Sequence, residues 1–283
     1  MPMTVGCFAL NTPFATLDVQ LANIAALGFR WADVTDNTDG GCVGTEFGFT
    51  AVASLDANPY DLKRSFEAHG LGISSFCAHA NLLDPAAPWR YGTAQILKAV
   101  RAAAAIGVRH VITTEGEPKT AFGHGLSEAE ALFCIREKLH EPLRLAADSG
   151  VKILLEPHGR YTGTPDRLEA ILEACDSPAL ALNLDTGNLW LGGADPLAFI
   201  ERFGSLIEHV HWKDMPAELA DQRGTTFGCG MAVIPLGTGV VGIEAIYRAL
   251  EQQGFSGHTT LEIAGDATVV ESRDYLVALG ARV

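Results

Sequence analysis

The sequence has no apolar stretch near the ~18 to 20 residues that a membrane-spanning helix requires, although 48% of its 283 residues are hydrophobic. No membrane helix is expected, and the apolar mass suffices for a large core. The six cysteines, Cys7, Cys42, Cys77, Cys134, Cys175 and Cys229, form no C-x-x-C pair and sit mostly in apolar segments. That pattern favours buried reduced thiols over a disulfide framework or a cysteine metal site. No run of Lys or Arg occurs, and 34 acidic against 20 basic residues give a formal net charge of −14. Affinity for nucleic acid comes from neutralised phosphates, so DNA and RNA are poor partners for this chain, and a small neutral substrate suits it better. The segment after Leu10, NTPFATL, lacks the glycines of a dinucleotide-binding fingerprint. The N-terminus, MPMTVGCFAL, lacks a basic leader region and reads as a first strand, so a cytoplasmic protein is expected.

No Pro/Ser/Gly-rich linker divides the chain, and residues 1–283 are expected to form one domain. Strand-like and helical runs alternate from end to end. Strands are expected at Thr4 to Leu10, Trp31 to Thr35, Gly72 to Cys77, Val108 to Thr113, Val151 to Glu156, Leu180 to Leu184, Ile207 to Trp212 and Thr259 to Ile263. Helices are expected at Thr16 to Leu27, Asp61 to His69, Thr93 to Ile106, Ser127 to Ala147, Thr164 to Cys175, Pro196 to Phe203, Val241 to Gln253 and Ala267 to Leu279. Ser127 and Glu130 make a capping box, and Gly150 closes the helix that it starts. Strict alternation of eight strands with eight helices predicts a single α/β domain, a (β/α)8 TIM barrel. Two long loops, at about 36–59 and 214–239, are expected to lie over the mouth.

Buried parallel strands read as continuous Val/Ile/Leu runs, so a carboxylate or imidazole at a strand's last position is an anomaly. Four successive runs end that way: VKILLEPHG at Glu156 and His158, LALNLD at Asp185, IEHVHWKD at His209 and His211, and HTTLEIAG at Glu262. The C-terminal strand ends are where α/β barrels place their chemistry. Two Glu, one Asp and one His form a hard, mostly oxygen donor set. Such a set suits one divalent metal ion, Mn2+ first, with Mg2+, Co2+ or Zn2+ as alternatives. Side chains alternate along a strand, which puts His211 at the mouth beside Asp185 and His209 one layer deeper as a structural or supporting histidine. By position alone, His79, His158 and Lys213 are candidate substrate contacts. His124, and Trp89 and Trp190 as apolar faces for a ring, are weaker ones. Arg160 and Arg223 are the obvious candidates for a phosphate, but they form no cluster, and an unphosphorylated substrate is favoured.

These motifs, LEPHG, LDTGNL, HVHWKD and LEIAG, resemble the xylose isomerase-like barrel superfamily of sugar isomerases and epimerases. It includes ketose 3-epimerases, inosose isomerases and dehydratases, and more distantly endonuclease IV. The resemblance covers nearly the whole chain. It implies Glu156, Asp185, His211 and Glu262 as metal ligands, with Glu156 and Glu262 also exchanging the proton next to a substrate carbonyl. The implied activity is a divalent-metal-dependent isomerase or epimerase acting on a ketose or keto-polyol through a stabilised enediolate. The alternative is a dehydratase or other carbon–oxygen lyase acting on a 2-keto-inositol or 3-keto-glycoside. One departure bears on that choice: many epimerase-like members carry a His where this chain has Asn188. Asn188 can hydrogen-bond a substrate hydroxyl but cannot carry a proton near neutral pH, which keeps elimination open. A homo-oligomer is compatible with the sequence.

Overall fold

The computed structural model describes residues 2–9, 15–35, 53–84, 91–118, 120–229 and 232–283. Eight parallel strands close into a barrel in sequence order. They are β1 (Thr4–Phe8), β2 (Trp31–Thr35), β3 (Gly72–Cys77), β4 (His110–Thr113), β5 (Lys152–Leu155), β6 (Leu180–Asp185), β7 (Ile207–Trp212) and β8 (His258–Leu261). The ring closes where β1 pairs with β8, from Thr4 opposite His258 to Cys7 opposite Leu261.

Helices α1 (Leu17–Ala26), α2 (Pro59–Ala68), α3 (Tyr91–Ile106), α4 (Ala121–His124) and α5 (Glu128–Ser149) accompany the first half of the barrel. The second half carries α6 (Pro165–Cys175), α7 (Thr186–Leu191), α8 (Pro196–Phe203), α9 (Ile243–Gln252) and α10 (Asp266–Leu279). Their boundaries follow local chemistry. Ser127 and Glu130 form the reciprocal capping box at the start of α5, and Gly150 ends it at φ 69°, in the left-handed region that favours glycine. Pro165 and Pro196 occupy the first turns of α6 and α8, where a missing N–H costs nothing.

Two short helices, α4 and α7, go beyond the eight expected from the sequence. The six residues of α7, TGNLWL, carry no amphipathic repeat long enough to be seen. Asp185 starts α7 by ending β6 and accepting the backbone N–H of Asn188 over 2.8 Å.

Much of the first long loop, 36–52, lies outside the described residues, as does Trp89. The expected loop end at Pro59 moves to Asn58, whose side chain caps α2 by accepting the N–H of Tyr60 over 3.1 Å. The second loop contains a 3-10 turn at Ala217–Gln222. Its two ends are tied by Asp214, which accepts N–H groups from Met215, Gly237, Gly239 and Val241 at 2.9 to 3.2 Å.

The large apolar core lies between strands and helices, as strands covered by helices require. Inside the barrel the filling is divided. Phe8, Cys77, Ile112, Leu154 and Ala181 form a separate apolar cluster. Asp33, Asn183, His209, His211 and Thr260, all fully buried, make a hydrogen-bonded polar group. Five described cysteines are free thiols. Among the described residues no helix is long and apolar enough to cross a membrane.

Candidate active site

The strand ends bring Glu156, Asp185, His211 and Glu262 together, with one donor atom of each within 4.8 Å of the others. Glu156 follows β5 directly and Glu262 follows β8, while Asp185 and His211 belong to β6 and β7. His211 Nδ1 stands 3.0 Å from Glu156 Oε2 and 2.9 Å from Glu262 Oε2. Neither contact has hydrogen-bond geometry, so His211 Nδ1 and Glu262 Oε2 are buried polar atoms without a hydrogen bond, although Glu262 Oε2 pairs with the Lys213 ammonium. Three carboxylates and an imidazole converging in a buried space, with His211 Nδ1 left without a hydrogen bond, fit a cation that all of them would share.

The four side chains are unequally exposed. Glu156, Asp185 and His211 are buried, whereas the Glu262 side chain is 16% exposed and faces the mouth. Lys213, just past β7, places Nζ 2.8 Å from both Asp185 Oδ2 and Glu262 Oε2. It does not pair with its neighbour Asp214, whose carboxylate is occupied by backbone N–H groups.

Burial works to raise Glu262, but the charges of Lys213 and His211 outweigh it and hold the carboxyl at about 2. In Asp185, burial prevails over the Lys213 charge, and with help from Glu156 and Glu262 it pushes the carboxyl up to about 7. Burial likewise opposes the charged form of His211, yet the Glu262 charge and the hydrogen bond to Asp33 raise it well above the ordinary histidine value. Glu156 stays well below the usual carboxylate range because the imidazoles of His158, His211 and His79 beside it overcome its burial.

Of the substrate candidates, His79 lies just beyond β3 with Nε2 4.0 Å from Glu156 Oε2, and its Nδ1 is buried without a partner. His158 is 29% exposed at the rim, with Nδ1 3.3 Å from Glu156 Oε1. Asn188 is 1% exposed. Its amide nitrogen lies 3.1 Å from Glu156 Oε1, 2.9 Å from Asp185 Oδ2 and 3.0 Å from His158 Nδ1. It thus braces the carboxylates from behind. His124 sits exposed at the end of α4. Trp190 is 6% exposed and its ring is covered by the Arg223 guanidinium, 4.7 Å from the ring centroid. Arg223 also donates to the carbonyls of Trp190 and Ala194, which makes it a loop fastener.

Residues 21–279 match the family described as Xylose isomerase-like TIM barrel. The chain belongs to that family.

Among its relatives, the inosose dehydratase of Clostridium beijerinckii is 26% identical over 174 residues, which are 59% of this chain and 58% of that protein. The match thus spans little more than half the length of that relative. Two solved structures align over 98% of this xylose isomerase-like barrel and 98% of their own chains. The 3-keto-D-glucoside 4-epimerase of E. coli does so with a TM-score of 0.71 at 17% identity. The IOLI protein, whose structure holds a zinc atom, does so with a TM-score of 0.71 at 18% identity. At these identities the likeness of the structures is one of fold.

Three buried residues of the barrel escaped sequence reading. Asp33, in the middle of β2, accepts from His211 Nε2 over 3.0 Å and from Thr260 Oγ1 over 2.9 Å. Asn183, inside β6, donates to Glu156 Oε2 over 2.8 Å and takes His209 Nδ1 over 2.9 Å. Glu115 receives the backbone N–H groups of Tyr161 and Thr162, and so anchors the turn after His158. The signal for Asp33 and Asn183 was available: each is a polar residue inside a buried parallel strand, the same anomaly that marked the strand ends.

Proposed function

We propose that this protein is a divalent-cation-dependent dehydratase of a keto-polyol, one that removes the proton beside a ketone and then expels a β-hydroxyl as water. The observation that carries the proposal is the convergence of Glu156, Asp185, His211 and Glu262, with His211 Nδ1 buried and without a hydrogen bond. Three carboxylates and one imidazole suit Mn2+ first, with Mg2+, Co2+ and Zn2+ as alternatives, and leave room for two substrate oxygens. Zinc in the solved IOLI protein supports a divalent ion on this fold. A cation held there supplies Lewis acidity toward the keto oxygen and so acidifies the neighbouring C–H.

The chain's own residues supply the rest. Glu262 is the base: it faces the mouth, and the Lys213 ammonium 2.8 Å away keeps it ionised. Glu156 is poorly placed as a second base, because the amides of Asn183 and Asn188 occupy its two oxygens at 2.8 and 3.1 Å. His79 stands beside the carboxylates, with Nε2 4.0 Å from Glu156 Oε2, where a substrate hydroxyl would meet its imidazole. The C–H proton passes to Glu262, the β C–O bond breaks, and His79 protonates the departing hydroxide, leaving an enone and water. The name of the Clostridium beijerinckii relative supports this outcome.

A second outcome has its own observation. Glu156 and Glu262 flank one atom, His211 Nδ1, at 3.0 and 2.9 Å, which is the two-sided arrangement that epimerisation or isomerisation of a ketose needs. Proton NMR in heavy water with Mn2+ and a panel of ketoses, keto-inositols and 3-keto-glycosides separates the two. Dehydration yields a UV-absorbing enone. Deuterium uptake without elimination would establish the epimerase, and inertness toward the whole panel would contradict both.

A further inference from the structure

We propose that Asp33 is a positioning residue for the cation site: it keeps the proton of His211 on Nε2, so that Nδ1 presents its lone pair to the space between Glu156 and Glu262. The inference rests on the cation site proposed above and adds a residue outside its four donors.

Asp33 is fully buried, and its carboxylate is fixed from both sides. Oδ1 accepts the hydroxyl protons of Ser74, from β3, and Thr260, from β8, the latter over 2.9 Å. Oδ2 takes His211 Nε2 at 3.0 Å, with the Cys77 thiol a longer donor at 3.9 Å. An ionised carboxylate only accepts, so Nε2 must be the donor, which leaves Nδ1 as the atom that would give its lone pair to a cation. Two carboxylate oxygens stand within 3.0 Å of that atom without hydrogen-bonding to it. Two carboxylate oxygens beside Nδ1 make that space a place for positive charge, which a bound cation would supply.

Asp33, His209 and His211 also lie close enough together to suggest a second metal position. Their hydrogen bonding argues against it. His209 Nδ1 is 2.9 Å from Asn183 Oδ1 and its Nε2 is 3.2 Å from Thr260 Oγ1, and no side-chain atom of Asp33 or His209 is left without a partner. The group is a brace beneath the site. A carboxylate behind a ligating imidazole fixes the ring and raises its basicity, and its loss typically weakens metal binding by about 10–100-fold.

The test is calorimetric titration of wild type and Asp33→Asn with Mn2+, together with long-range 1H–15N NMR of the His211 ring in the Zn2+-loaded wild type. Asparagine removes the charge in either amide rotamer. The expected results are one Mn2+ per wild-type chain, about 10–100-fold weaker binding in Asp33→Asn, and a wild-type His211 bearing its proton on Nε2. Equal affinity in the variant, or a proton on Nδ1, would overturn the role of Asp33 and leave the cation site standing. Two Mn2+ per wild-type chain falling to one in Asp33→Asn would make Asp33 a ligand and also overturn it. A wild type that binds neither ion would overturn the cation site and this inference together. Should Asp33→Asn fail to fold, the ring proton in the wild type decides.

Discussion

The backbone N–H of Cys229 donates to Asn188 Oδ1 over 2.8 Å, and this bond decides which way the Asn188 amide faces. With the oxygen so held, the NH2 group must turn toward Glu156 and Asp185. A loop residue far along the chain thereby orients the donor behind two of the four converging side chains. Asn188→Leu keeps the approximate volume and removes the donor. Hydrogen bonds to charged groups contribute about 1.5–3 kcal/mol, so kcat/KM is expected to fall by roughly 10–100-fold. Steady-state kinetics on the substrate found in the NMR panel checks this, and an unchanged kcat/KM would contradict it.

The same loop touches His158. Gly228 has φ 81°, and a Cβ there would stand 2.6 Å from His158 Nε2. Gly228→Ala is therefore strained in its backbone and displaces the imidazole, with an expected stability loss of about 1 kcal/mol or more. Gly228→Ala is also expected to lower kcat/KM by moving His158, and so to add little to that loss once His158→Ala is present. A double-mutant cycle measures that coupling; full additivity would show that the loop acts elsewhere.

Lys213 balances the charge of the site, since its ammonium contacts Asp185 and Glu262 at 2.8 Å each. Lys213→Met leaves buried carboxylates unpaired, a change that typically costs about 3–5 kcal/mol. The metal-free protein should lose thermal stability, and Mn2+ should restore more of it than in wild type because a cation then meets a more negative site. Melting curves with and without Mn2+ provide the check. An equal Mn2+-induced rise in Tm in both proteins would refute the balancing role.

Much of this arrangement was legible in the sequence because buried parallel strands exclude polar residues so strongly. Glu156, Asp185, His211 and Glu262 stood out for that reason, and alternation along β7 placed His211 at the mouth and His209 below it. Asp33 was passed over because one Asp in WADVT has no partner nearby in sequence. Its partners Ser74, His211 and Thr260 come from three other strands. Helix α7 was invisible because six residues give no periodicity, and because Asp185 serves as both strand end and helix cap. The assignment of Arg223 as a phosphate candidate assumed a free guanidinium, whereas the fold lays it over Trp190. Composition does not encode such pairings between loop and helix.

At the opposite end of the barrel, Glu208 accepts from His110 Nε2 over 2.9 Å and from Lys152 Nζ. Led by the His110 hydrogen bond, these contacts lower the Glu208 carboxyl from 4.5 to about 2. A lowered folded-state value stabilises above the unfolded value and loses its effect as pH falls through the folded one. The contribution is thus complete above about pH 5 and fades toward pH 2. Allowing for solvent screening at this partly exposed group, it amounts to roughly 1–2 kcal/mol. Glu208→Gln should be less stable than wild type by that amount at pH 7, and the gap should close in acid. Urea unfolding at a series of pH values measures it, and a gap independent of pH would rule out the ionic origin.

Glu156, Asp185, His211 and Glu262 are expected to share one divalent cation. A crystal grown with Mn2+ and measured for anomalous scattering tests it most directly. The expected result is one strong anomalous peak, about 2.0–2.3 Å from an oxygen of each carboxylate and from His211 Nδ1. Absence of a peak there, or a peak bounded instead by Asp33, His209 and His211 Nε2, would contradict it.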